Sequence, residues 1–197
     1  MEQASRQLGF YESVENLPFS AFTYEYPDSK WHWHDYIEVL YGLKGEYTVL
    51  VGNQRFSCRH GDFILVNLSE PHATVREEEN SSILVIQFDL SVISPPAAPV
   101  YEAKYLSSLL ITGIHFQRCT HFAENDEMHR LLDNIYREYK LREIGYELSV
   151  KAGIMQLFVQ MLRHKLIQTD FNSLKRRNEL KKLMPVFMHI QEHYMEK

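Results

Sequence analysis

From residue 19 to residue 89 the chain is a succession of short runs in which apolar residues alternate with polar ones or stand together. Segments 19–25 (FSAFTYE), 36–41 (YIEVLY), 47–51 (YTVLV), 55–59 (RFSCR), 63–67 (FILVN), 73–76 (ATVR) and 83–89 (ILVIQFD) are rich in β-branched and aromatic residues. Turn formers bound them, which predicts strands. Gly52-Asn53 stands between two of them as a two-residue hairpin, where Gly and Asn tolerate a positive φ. Gly61-Asp62 and Glu70-Pro71 mark further turns. Strands this closely spaced, with no helical period between them, predict an antiparallel barrel or sandwich. Segment 94–99 (SPPAAP) cannot continue a ladder, because proline has no amide donor, and reads as the exit from the β region. Segment 113–116 could add one more short strand.

Beyond Asp126 the period becomes helical. Met128, Leu131, Leu132, Ile135, Tyr136 and Tyr139 recur at i, i+3, i+4, i+7 spacing, with Asn125 or Asp126 placed to cap. Gly145 interrupts. A second helix is expected over 147–168, with Leu148, Ala152, Met155, Val159, Leu162 and Leu166 on one stripe and Ile154, Phe158 and Met161 beside it. That apolar face is wider than a helix resting on one surface requires, so the two helices are expected to pack on the barrel and on a second subunit. Residues 169–182 are polar and basic, as in a linker. A third helical pattern follows over 183–197 with Val186, Phe187, Ile190 and Tyr194 in register. An amphipathic helix at a chain end needs a surface to cover its stripe. The expectation is therefore a cut one helix into a further domain.

Charge sharpens this division. The 197 residues carry a formal net charge of −5. Residues 1–100 hold 6 basic and 14 acidic side chains, and residues 101–197 hold 15 and 12, which is −8 against +3. The first half offers no electrostatic footprint for nucleic acid. No run approaches the roughly 18 apolar residues of a membrane span, and the first ten residues show no signal-peptide pattern. Two cysteines, Cys58 and Cys119, are too few for a disulfide framework. A cytoplasmic protein with no membrane partner is expected.

The most specific chemistry lies in WHWHDYIE, residues 31–38. In an extended chain His32, His34 and Glu38 share parity and face one side. Two imidazoles and a carboxylate on one wall are ligands for a divalent metal with open positions, and His72, after the Glu70-Pro71 turn, is a natural fourth. Trp31 and Trp33 fall on the opposite parity, as outer-face packing. Tyr24, Tyr36, Tyr47 and Phe63 are candidates to line the cavity. His115, Cys119 and His121 form a looser cluster with no fourth ligand, so a surface or core role is expected, and Cys58 reads as a small buried residue.

His32, His34, Glu38 and Gly45 stand at the spacing of the first cupin motif, and Gly61 and His72 at that of the second. Asn67 and Ser69 replace the second motif's Pro and Gly, Arg76 its Asn, and Tyr26 the Gly that usually precedes the first. With the helix pair, the basic linker and MPVFMHIQEHYMEK, residues 184–197, the chain resembles the sensor half of an AraC/XylS-type transcription regulator. That resemblance implies an α+β fold, a double-stranded β-helix (cupin or jelly-roll) barrel followed by an antiparallel helix pair. It implies a barrel over 1–100, connecting segment and dimerisation helices over 101–168, linker over 169–182, and the first helix of a DNA-binding domain over 183–197. It further implies a small-molecule effector bound near His32, His34, Glu38, His72, Tyr24, Tyr36 and Tyr47. A homodimer would form through Leu148, Met155, Val159, Leu162 and Leu166, and DNA contact would belong to a further helix-turn-helix region. Lys175, Arg176 and Arg177 read as solvated linker. Two readings of the histidines stay open: ligands of Zn, Ni, Fe or Mn, or hydrogen-bonding pocket residues without metal. The function expected is a non-enzymatic sensor; a metal-dependent cupin enzyme such as an oxygenase or isomerase is the alternative, and the long helices, basic linker and orphan helix argue against it.

Overall fold

The computed structural model describes residues 5–6, 17–93, 119–121 and 127–164. The expectations for 94–99, 113–116, His115, Asn125, Asp126, Leu166, the linker 169–182 with Lys175, Arg176 and Arg177, and the helix over 183–197 lie outside the described residues.

Among the described residues, ten strands form two sheets. They are β1 (Ser5–Arg6), β2 (Phe19–Glu25), β3 (His32–Trp33), β4 (Ile37–Lys44), β5 (Tyr47–Val51), β6 (Gln54–Cys58), β7 (Asp62–Val66), β8 (His72–Arg76), β9 (Ser82–Phe88) and β10 (Cys119–His121). One sheet runs β1-β3-β8-β5-β6 and the other β10-β7-β4-β9-β2. Within them β2 to β9 interleave as 3-8-5-6 opposite 2-9-4-7, the eight-stranded double Greek key of a jelly roll. Two helices follow, α1 (Glu127–Leu141) and α2 (Tyr146–Arg163), which pack on each other.

Alternation along the second sheet decides what faces what. Ile37, Val39 and Tyr41 on β4, Leu84, Ile86 and Phe88 on β9, and Phe63 and Leu65 on β7 point outward. They form one core with Met128, Leu131, Leu132, Ile135 and Tyr139 of α1 and Val150, Ile154, Leu157 and Phe158 of α2. The other parity, Leu40, Ile64, Val66, Ile83 and Val85, points between the sheets and meets Tyr47, Val49, Val51 and Cys58. The helix pair thus covers one outer face of the jelly roll. Its tight approach depends on Gly153, where a Cβ would stand 2.5 Å from Ile135 Cγ1.

Several turns follow the sequence closely. Val51 pairs with Gln54 across Gly52-Asn53, and Gly52 takes φ 54 while Asn53 stays out of the left-handed region. Gly145 takes φ 85 where α2 begins. The strip 31–38 departs from the extended reading: β3 ends at Trp33 and β4 begins at Ile37, so the chain bends between sheets. β10 extends the second sheet from beyond residue 100, pairing Thr120 with Phe63.

Candidate metal and ligand site

That bend builds the site. His32 lies on β3, directly across from His72 on β8, while Glu38 lies on β4 in the facing sheet. His34 sits in the bend, its ring stacked on Tyr36 at 3.7 Å between centroids. The bend is held to the β7–β8 turn, where the Ser69 amide donates to the His34 carbonyl at 2.7 Å and Ser69 Oγ to Asp35 Oδ1 at 2.8 Å.

The three imidazoles converge, with one ring nitrogen of each of His32, His34 and His72 within 4.8 Å of the others. Each Nδ1 faces a backbone carbonyl: His32 that of Lys30 at 2.8 Å, His34 that of Tyr36 at 3.1 Å, and His72 that of Glu70 at 2.8 Å. A carbonyl only accepts, so each Nδ1 carries the proton, and a neutral ring then has its lone pair on Nε2. This is the tautomer control of metal-binding histidines. The Nε2 atoms of His34 and His72 are buried without a well-aligned hydrogen bond, yet they lie 3.2 and 3.3 Å from the Glu38 carboxylate. Two lone-pair-bearing groups at that separation need a proton or a cation between them. The donor set fits a divalent ion, and three histidines can hold one.

Glu38 is buried and held from behind. Gln87 Nε2 donates to Glu38 Oε2 at 2.6 Å, and Ser20 Oγ donates to Gln87 Oε1 at 3.0 Å, which fixes the amide's orientation. Burial pushes the Glu38 carboxyl up, but His34 and His72 beside it overcome this and hold it well below the usual carboxylate range. Burial pushes His72 down, and the Glu38 carboxylate more than reverses that, so His72 rises. Burial, followed by the charge of His72, lowers His32.

These shifts set the pH response of the metal-free domain. His72, raised, contributes stability that is complete below its unfolded value of ~6.5 and fades as pH rises through its folded value. His32, lowered, contributes stability that is complete above ~6.5 and fades as pH falls through its folded value. Glu38 stays ionised across both limbs. With a chelator present, the melting temperature between pH 5 and 9 is expected to peak near 6.5. His72→Gln flattens the alkaline limb and His32→Gln the acid limb. A monotonic profile, unchanged by either substitution, contradicts this assignment.

A cavity of about 870 Å³ opens beside the cluster. His32, Glu38, His72 and Gln87 form its inner polar end, with Ser29 and Thr74 nearby, and Phe22, Leu40, Ile83 and Val85 form an apolar wall. Ala21 and Phe22, of opposite parity on β2, both line it, so it passes over the β2 edge to Tyr139, Lys140 and Arg142 at the end of α1.

Of the tyrosines expected to line it, Tyr24 does, its hydroxyl donating to the Asp28 carbonyl at 3.0 Å. Tyr36 and Tyr47 do not. Tyr36, in the bend between β3 and β4, is buried against His34, and Tyr47 is buried in the core between the sheets, because it pairs with Arg76 at the end of β8 away from His72. Phe63 points outward into the helix-side core. Trp31 and Trp33 are half-buried away from the cavity wall. Cys58 is buried, and His121 pairs with Asp62 at 2.9 Å. Gln87, Ser20 and the end of α1 were not expected. Gln87 is the one polar position of inward parity in ILVIQF, which is the signal it left in the sequence.

Along α2 the stripe expected to pair with a second subunit lies partly off the core, with Met155 and Leu162 packed against its margin. Leu148 is 75% exposed and Val159 40%, Ala152 is exposed, and Met155 and Leu162 are partly covered. Among the described residues, no helix is long and apolar enough to cross a membrane.

A model of the AraC-like ligand binding domain family matches residues 16–158. Among curated proteins none matches the chain. Solved structures show local likeness. Oxalate decarboxylase of Bacillus subtilis, studied for its Mn(II) centres, is 18% identical with a TM-score of 0.34 over 38% of this chain and 22% of that one. KdgF from Halomonas sp. is 16% identical at 0.34, over 36% of this chain and 69% of that one. A cupin-2 domain containing protein from Shewanella frigidimarina is 21% identical at 0.31, over 36% and 68%. The likeness thus spans about a fifth of the decarboxylase chain.

Proposed function

The chain belongs to the AraC-like ligand binding domain family, and from that premise we propose that it is the effector-sensing and dimerisation part of a DNA-binding transcription regulator. One observation carries the reading: the cavity is walled by the jelly roll on one side and by the end of α1 on the other. A small molecule that fills it touches both elements. A ligand shifts an equilibrium only through contacts that differ between two states, and a site shared by barrel and helix supplies such contacts. A divalent metal, Zn, Ni, Fe or Mn, sits at the His32, His34, His72 and Glu38 end and offers open positions to the effector. Two copies pair along α2, which suits recognition of paired half-sites. The acidic balance of residues 1–100 keeps the barrel itself off nucleic acid.

The same histidines favour a second reading, a metal-dependent enzyme such as an oxygenase or isomerase, because ligands with open positions can activate water or dioxygen. A thermal-shift screen of small metabolites with and without metal separates the two. A ligand at one hundred times its Kd adds about 2.7 kcal/mol to the folded state. We expect at least one metabolite to raise the melting temperature and to be recovered unchanged after prolonged incubation. Conversion of that compound by the wild type, lost in Glu38→Gln, selects the enzyme.

A further inference from the structure

We propose that the cavity selects an organic anion with an apolar body, its anionic group held at the mouth by Lys140 and Arg142. The proposal rests on the ligand-binding reading above and names the class of ligand that the site takes.

The charged side chains on the cavity wall, apart from its histidines, are Glu38, Lys140 and Arg142. Glu38 is already engaged at the inner end by His34, His72 and Gln87. The two cations are not so engaged. Lys140 Nζ rests 5.5 Å from the Tyr136 ring centroid and the Arg142 guanidinium 5.4 Å from that of Tyr139. Among the described residues neither has a carboxylate at ion-pair distance. A cation in the last turn of a helix is ordinarily matched by the exposed carbonyl ends, which would account for Lys140. It does not account for Arg142, which lies beyond α1. Arg142 takes a left-handed φ of 50 there, with its amide donating to the Glu138 carbonyl at 3.1 Å. This geometry sets the side chain at the mouth of the cavity.

The surroundings make the mouth distinctive. Residues 1–100, which supply the barrel strands β1 to β9, carry −8, so two cations without a carboxylate partner at its entrance run against the average. Between mouth and inner end lies the apolar wall of Phe22, Leu40, Ile83 and Val85. A cleft with low-dielectric walls and one sign of charge at its rim concentrates ions of the opposite sign. Ligand pockets of roughly 300–1,000 Å³ take drug-sized molecules, and this one falls in that range. A carboxylate or sulfonate would meet charge-assisted donors at the rim while its body displaces water from the wall. The anion then bridges the barrel to α1.

Two dyes that share an aromatic body test this: 1-anilinonaphthalene-8-sulfonate, anionic, and N-phenyl-1-naphthylamine, neutral. Both are titrated by fluorescence into the whole chain with a chelator present. The sulfonate is expected to bind about tenfold more tightly or better, and added salt to erode that preference. Lys140→Gln with Arg142→Gln brings the sulfonate to within about twofold of the neutral dye and leaves the neutral dye unchanged; both positions are exposed, so folding is not at stake. Val85→Phe, which narrows the wall, weakens both dyes. Equal or tighter binding of the neutral dye, or a preference that survives the double substitution, overturns the anion proposal; the cavity reading survives that result if Val85→Phe still weakens both. Absent binding, or binding indifferent to Val85→Phe, overturns both.

Discussion

Protein purified without chelator is expected to carry close to one equivalent of a divalent metal, and His34→Ala under a tenth. His34 is buried, its Nδ1 faces the Tyr36 carbonyl, and its Nε2 lies 3.2 Å from Glu38, so the substitution removes a donor atom from the centre of the cluster. Even partners behind the ligands typically cost 10–100-fold in affinity when removed, and loss of a ligand itself should exceed about 100-fold. The substitution also deletes the ring stacked on Tyr36 and leaves a buried void, so a fall in stability alone would not be informative. Glu38→Gln supplies the control. It keeps the volume, removes the anionic charge and is expected to lose most of the metal without a void. At a pH where His72 is protonated, metal binding should also release protons, because a ligating imidazole gives up its Nε2 proton. Sub-stoichiometric metal in the wild type, unchanged in both variants, rejects the site.

Much of this site was legible because the cupin spacing encodes backbone geometry as well as ligands. Where the motif has glycine, this chain carries Tyr26 and Ser69, and both adopt left-handed backbones, φ 60 and 56. The turns persist without the residue that makes them easy, at a cost of order 1 kcal/mol each. Ser69 shows what holds its turn, the bonds to His34 and Asp35; Tyr26 has the Arg76 guanidinium 5.4 Å from its ring centroid and its amide bonded to the Ser81 carbonyl. The parity argument brought His32, His34 and Glu38 together although the strip is not one strand: a bend between two sheets that face each other puts the same groups in one cluster, with His32 and Glu38 on the cavity wall and His34, against expectation, buried behind it. Parity failed for Tyr36 and Tyr47. Alternation tells inside from outside, but not which part of the interior is filled and which is open. It was also silent on Lys140 and Arg142, since only the tertiary placement of α1 over the β2 edge brings a helix end to a barrel mouth.

The same limit applies to α2, where sequence alone could not say which of two adjacent apolar stripes meets the barrel. Val150, Ile154, Leu157, Phe158 and Met161 are the covered ones. Leu148, Ala152, Met155, Val159 and Leu162 are left, spaced alternately four and three apart, which is the a/d seam of a coiled coil. Leu148→Asp with Val159→Asp is therefore expected to convert a dimer at tens of micromolar into a monomer by sedimentation. In a two-fold seam each substitution appears twice. Four apolar side chains lost at about 1.5 kcal/mol apiece amount to roughly 6 kcal/mol, or about four orders of magnitude in the dimer constant. Both side chains are exposed in the single chain, so the monomer should keep its helical signal and its ligand-induced rise in melting temperature. Leu162→Asp makes a poorer test, because Leu162 also packs against the helix-side core and its loss should weaken folding and pairing together. A wild type that sediments as a monomer rejects the seam, and a dimer indifferent to the double substitution places the subunit contact elsewhere.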